Sequence, residues 1–295
     1  MFHTRFNQSI TISSFKNPTL VLNFENQLLK KNPLFYSFFI ALLFSCGKLP
    51  TPEPGQTFEH FVGDFENNNL SAFHFLVKDT TFNTQIVTSP VRKGNYALKN
   101  TLRPDDYVNN GYRTELAIYN CAKYKTEVYY GFSFMVDADY QDTAYNLICQ
   151  WQDLPNYAQG ESWEPTPVLH GSPPPISLTY VNNKLEIKMN DSPSTSNKTF
   201  LVGEAQNIQK GVWQDVVAHI YWNDDKTAFI EFWLNGELIT PFNGTDNKFY
   251  HRNLFNRAGN YFKFGQYRGK NKTAHTNTIF FDEVKVGSTY LEVAP

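Results

Sequence analysis

The chain has 295 residues, with 26 Lys and Arg against 28 Asp and Glu, giving a formal net charge of -2. Hydrophobic residues make up 41% and charged residues 18%, below the roughly 25% usual in soluble domains, which excludes a disordered chain and a coiled coil. The near-neutral balance leaves no basic footprint, so no nucleic-acid partner is expected. Aromatics stand out at 16%. A ring-rich, charge-poor chain with short β-type runs reads as a sheet protein with ring-lined surfaces.

At the N-terminal end, residues 34–45 form an apolar run behind Lys30 and Lys31. That length suits a signal-peptide core and is short for a membrane span. The run ends Leu43-Phe44-Ser45-Cys46-Gly47, which resembles the lipobox of bacterial lipoproteins. The resemblance implies lipidation at Cys46, removal of residues 1–45, and a membrane anchor outside the cytoplasm, periplasmic or at the cell surface. Residues 1–29, upstream of the positive pair, are read as a mis-assigned start. Residues 46–56, with their Pro and Gly, read as a tether. Cys121 and Cys149 remain; such a compartment permits a disulfide, but the reading here is two free buried thiols without metal-ligand spacing.

Beyond the tether no long stretch carries apolar residues at helical spacing. Alternating runs recur instead: Arg113–Ile118, Glu127–Val136, Asn146–Trp151, Ile176–Val181, Lys184–Met189, Val216–Trp222, Ala228–Leu234, Tyr261–Tyr267 and Thr278–Val286. Asn182-Asn183 and Asn235-Gly236 mark hairpin turns. Many short strands without an inter-domain linker predict one all-β domain over residues 57–295, a jelly-roll sandwich of two sheets with a concave substrate groove, expected as a monomer. The proline-rich stretch Asp153–Pro175 reads as a loop walling that groove.

Side chains alternate across a strand, so each run divides into a core face and an open face. Leu116 and Ile118 point one way, Arg113 and Glu115 the other. Leu147, Cys149 and Trp151 share a face opposite Gln150 and Gln152. Phe262 and Phe264 turn inward, leaving Tyr261, Lys263 and Tyr267 on the open side. Together these strands offer a guanidinium, two amides, an ammonium and two phenols to one groove.

RTEL (Arg113–Leu116), QWQ (Gln150–Gln152) and YFKFGQYR (Tyr261–Arg268) resemble, in order, three signatures of jelly-roll polysaccharide lyases. Alginate lyases of this fold show R-T/S-E, Q-x-H and Y-F-K-x-G-x-Y. The segments between, such as Tyr129–Val136, Pro174–Leu178, Val212–Trp222 and Ile230–Ile239, are more similar to the heparin lyase I and glucuronan lyase group. The resemblance implies a concanavalin-like sandwich that cleaves a uronate polysaccharide by β-elimination without a cofactor in catalysis. The few cations favour a glucuronan-like or alginate-like polymer over heparin.

A carboxylate beside C5 makes that proton weakly acidic, so charge must be neutralised where an enolate-like transition state builds it up. Arg113 and Gln150 are candidates for holding the carboxylate. Tyr267 is the candidate for base, acid or both, with Lys263 and Arg113 supplying a field that favours its phenolate. Glu115, Gln152, Tyr261 and Arg268 are substrate-contact candidates; Glu115 is also expected to fix the Arg113 guanidinium. Trp163, in the proline-rich loop, is a sugar platform candidate. Gln152 stands where the resembled families carry histidine, and glutamine has no basic nitrogen. His170 or His219 would replace it, Tyr267 would transfer both protons, or the chain binds glycan without cutting it. A glycoside hydrolase would need two carboxylates at one bond, for which Glu231 lacks a nearby partner in sequence. Asp64, Glu66 and Asp282 resemble the paired strand ends at which carbohydrate-binding jelly rolls hold a structural calcium ion.

Overall fold

The computed structural model describes residues 56–141, 145–162, 173–192, 198–244, 246–272 and 274–295. Cys46 and the tether, and Trp163 and His170, lie outside them. The first strands are β1 (Phe61–Gly63), β2 (His74–Leu76), β3 (Thr84–Val87), β4 (Ala97–Leu102), β5 (Tyr107–Val108) and β6 (Gly111–Ala122). Next come β7 (Thr126–Val136), β8 (Asn146–Asp153), β9 (Ile176–Val181), β10 (Lys184–Asn190) and β11 (Thr199–Ala205). The chain finishes with β12 (Gln214–Trp222), β13 (Phe229–Leu234), β14 (Glu237–Leu238), β15 (Phe249–Tyr250), β16 (Asn260–Tyr267) and β17 (Asn277–Gly287). Single helical turns cover Thr80–Asn83 and Tyr290–Val293.

Two antiparallel sheets result. One runs β14-β13-β12-β7-β17-β4-β3, with β1 on β17 and β15 on β13; the other runs β11-β10-β9-β8-β16-β6-β2, with β5 on β6. The sequence dictates this layering through period-two burial. On β12, Val216, Ala218, Ile220 and Trp222 join the core, whereas Asp215, His219 and Tyr221 do not. On β10, Leu185, Ile187 and Met189 go inward while Lys184, Glu186 and Lys188 stay outside. The hairpin turns follow from residues that tolerate positive φ: Asn182 and Asn183 at 50° and 58°, Asn235 and Gly236 at 52° and 79°.

Aromatic residues fill the interior between the sheets. Trp151 and Phe262 of one sheet meet Tyr130, Phe132 and Phe232 of the other. Tyr130 donates its hydroxyl proton to the Cys121 carbonyl and accepts from Trp222 Nε1 at 2.9 Å, so the buried phenol is satisfied. Cys121 and Cys149 are free and buried, as expected.

One face assignment differs from simple alternation. The β8–β9 pairing slips between Leu147 and Cys149, so Ile148 and Cys149 both enter the core. Leu147, expected inside, is half-buried opposite Tyr267. A bulge adds one residue to one strand and resets the side-chain parity beyond it. Gln150 and Gln152 consequently still share the open face opposite Lys263 and Tyr261.

Candidate active site

The expected cluster assembles on the outer face of the second sheet, where β8, β16 and β6 lie side by side. Lys263 pairs with Gln150 on one side and Ala117 on the other; Gly265 pairs with Glu115, and Tyr267 with Arg113. Glu115 is the hub. Its carboxylate accepts Nε2–H of Gln150 and NH1–H of Arg113, the latter at 3.3 Å, and faces Lys263 Nζ at 3.7 Å. All four residues are buried, so each charge depends on the others for the stabilisation that water would otherwise give. With Lys263 protonated, two cations against one carboxylate leave a single excess positive charge.

Arg113 is fixed from three directions. Its NH2 donates to the Asn109 carbonyl at 3.0 Å, at the tip of the β5–β6 hairpin, and its guanidinium carbon sits 4.1 Å from the centroid of the Tyr267 ring. Its Nε is buried with no acceptor among the described residues. Two glycines make room for this arrangement. A Cβ on Gly111 would stand 2.4 Å from Tyr267 Cε2. Gly265 has φ +133° and lies so close to β6 that a Cβ would meet the Thr114 carbonyl at 2.2 Å.

Burial sets the protonation preferences. Desolvation lowers the Lys263 ammonium to about 8, offset partly by Glu115 and reinforced by Arg113. Desolvation raises the Tyr267 phenol above its ordinary value; the opposing pull of Arg113 is the smaller effect. The cations therefore do not make Tyr267 a ready phenolate, contrary to the expectation from sequence. Tyr261 is raised as well, by desolvation and by Tyr119.

Tyr119 is a site residue that the sequence reading missed. Its ring stacks on Tyr261 with centroids 4.8 Å apart, and Tyr261 in turn carries Lys263 Nζ 5.3 Å from its centroid. Alternation from Arg113 and Glu115 through Ala117 reaches Tyr119, so extending that run to the true end of β6 would have found it. Gln152 is buried opposite Tyr261, within the same face.

Other candidates lie elsewhere. His219 belongs to β12 in the opposite sheet; its ring nitrogens meet Glu231 at 2.8 Å and Glu127 at 2.7 Å, and its ring stacks on Tyr129. It is not part of the cluster. Glu231 is spent on that contact. Arg268 is fully buried, with NH2 donating to the Tyr140 hydroxyl at 3.0 Å, so it supports the fold behind the site rather than facing a substrate.

Glu66 accepts the amides of Asn95 and Tyr96, Asp282 those of Arg92, Lys93 and Glu283, and Asp64 that of Glu66. These carboxylates organise the 92–96 loop, and among the described residues no three His, Cys, Asp or Glu side chains converge as a metal site.

A polysaccharide lyase family profile matches residues 62–285, spanning every strand of the cluster. The chain belongs to the polysaccharide lyase family. Among solved structures it is similar to the endo-β-1,4-glucuronan lyase of the fungus Trichoderma reesei, at 21% identity and TM-score 0.60, covering 81% of this chain and 99% of that one. It is also similar to alginate lyase A1-II', a member of polysaccharide lyase family 7, at 13% identity and TM-score 0.50, covering 74% and 94%. At these identities the likeness establishes the jelly-roll fold. No curated protein matches.

Proposed function

We propose that this family member cleaves a uronate-containing glycan by β-elimination at the Arg113–Glu115–Gln150–Lys263–Tyr267 cluster. The observation that carries the reading is this set of buried polar groups on one face, a guanidinium, an amide, an amine and a phenol gathered around one carboxylate. In the proposed reaction Arg113 and the second N–H of Gln150 hold the uronate carboxylate and stabilise charge as C5 loses its proton. Glu115 keeps both donors in place. Tyr267, protonated and stacked beneath Arg113, gives its proton to O4 as the C4–O4 bond breaks.

The modest charge favours a non-sulfated polymer, glucuronan-like or alginate-like, over heparin. The deciding experiment follows absorbance near 235 nm, from the unsaturated uronate, across glucuronan, alginate, heparin, hyaluronan and ulvan. A rise with one polymer that disappears in Tyr267→Phe supports the reading and names the substrate. Binding to a polymer without a rise on any of them favours the second reading, a glycan-binding protein, for which Gln152 in the histidine position is the motivating residue. Lipid anchoring at Cys46 belongs to the same proposal. Detergent-phase partitioning that survives in Cys46→Ala would refute it.

A further inference from the structure

The lyase reading, on which this inference rests, requires an acceptor for the C5 proton. Gln152 has no basic nitrogen, His219 stands on the other sheet with both ring nitrogens engaged, and His74, on this face, is exposed two strands away from Lys263 with its ring against Tyr119. Tyr267 is held in its protonated form. We infer that the amine of Lys263 is the base that removes the C5 proton, with Tyr267 the acid that protonates O4.

The geometry favours this division of labour. Lys263 lies at the floor of the cluster, 3% exposed, and its charged partner is Glu115 at a long 3.7 Å. Glu115 already accepts from Gln150 and Arg113, so it satisfies an ammonium poorly. The other titratable and charged groups on this face are Arg113 of β6, Tyr261 and Tyr267 of its own strand, with Tyr261 5.3 Å from the amine, and His74 of β2, across Ala117 from it, while β8 presents the neutral amides of Gln150 and Gln152. Desolvation in a dry site and the like charge of Arg113 favour releasing the proton to leave a free amine, and Glu115 opposes them only in part, in keeping with the lowering to about 8. Lys263 and Tyr267 stand on either side of Gly265, which carries no side chain, so base and acid bracket the stretch paired with Glu115.

The step balances within these groups. The Nζ lone pair takes the C5 proton, and the C–H electron pair passes into the carboxylate-stabilised carbanion. That pair then forms C4=C5 as C4–O4 breaks, and the Tyr267 phenol protonates O4. Transfer of a proton from the Lys263 ammonium to the Tyr267 phenolate restores both.

The test compares wild type with Lys263→Arg and Lys263→Ala on the polymer that gives 235 nm product, with thermal melts to verify folding. Lys263→Arg keeps the charge but holds its proton at all accessible pH. The expected result is a kcat loss of about 10²–10⁴-fold in both variants. Uronate-oligomer binding to Lys263→Arg should stay near wild type, and added methylamine should restore turnover in Lys263→Ala. Wild-type kcat should rise about tenfold per pH unit below about 8 and level off above it. Lys263→Arg turnover within about threefold of wild type overturns the inference and leaves the lyase reading standing. So does a loss in both variants with no amine rescue. A wild type that yields no product from any polymer sinks both.

Discussion

The guanidinium of Arg113 lies over the ring of Tyr267, 4.1 Å from its centroid, on two adjacent strands that pair these residues directly. The contact uses the ring, whereas the proposed proton transfer uses the hydroxyl, so the two roles are separable. Tyr267→Phe should keep the stack and melt within about a degree of wild type, while losing about 10²–10⁴-fold in kcat. Tyr267→Ala should lose activity as well and also lower stability, by about 1–2 kcal/mol from the cation–π contact alone. Urea titrations of the two variants separate these effects.

Glu115 neutralises two buried cations. Glu115→Gln keeps the shape but leaves Arg113 and Lys263 without a counter-charge, and the expected cost is about 3–5 kcal/mol of unfolding free energy. Glu115 also holds the Lys263 value up, so in the variant Lys263 sheds its charge below the wild-type value of about 8, and part of the loss should return as pH rises. Denaturant midpoints at pH 7 and pH 9.5 measure both quantities.

Lys263 also gives stability a pH dependence of definite sign. Its folded value, about 8, lies below the 10.5 of an ordinary lysine, so between these pH values the unfolded chain binds the extra proton. This contribution is present above 10.5 and is lost as pH falls through about 8. Stability should therefore climb across that window in wild type, and the increment should vanish in Lys263→Met. At pH 7 the methionine variant should be at least as stable as wild type, because it removes a desolvated ammonium while Glu115 keeps Arg113 as its counter-charge. Melting curves taken at half-unit pH intervals test the slope.

His219 offers the converse experiment. Since it bridges Glu127 and Glu231 on the opposite sheet, His219→Gln should lower the melting temperature but leave lyase turnover within about twofold. A large kcat loss with an unchanged melting temperature would place His219 in the reaction and contradict its position on β12.

Gly265→Ala probes the close approach of β16 to β6. At φ +133° a side chain costs about 1–3 kcal/mol in backbone strain, and its Cβ would also collide with the Thr114 carbonyl. The variant should be destabilised by more than that strain alone and should misplace Lys263 and Tyr267 together, which thermal melting and turnover would register jointly.

Much of this was legible from the chain. Ile176–Val181 was read to the residue, and the face shared by Arg113, Glu115, Gln150 and Lys263 followed from alternation. The missed elements have physical causes. The strand Ala97–Leu102 buries Asn100 and Thr101, so its sequence lacks a clear apolar period. On Thr199–Ala205, at a sheet edge, Thr199 and Leu201 remain exposed, which again blurs the pattern. The bulge near Leu147 breaks local parity. His219 was placed on the correct strand, but alternation cannot report which sheet a strand joins; that depends on pairing with β7 and β13, far away in sequence. The protonation of Tyr267 depended on desolvation, which no spacing of residues expresses.

The two thiols make a clock. Cys121 and Cys149 are deep in the sandwich and burial raises both above the ordinary thiol value, so a disulfide reagent finds no thiolate while the sheets remain closed. Labelling then proceeds at the rate at which the sheets part, and the two sites report from different strands of one sheet, β6 and β8. Equal rates at both would mean that the sandwich opens as a unit, and unequal rates would reveal which strand of the proposed active site loosens first.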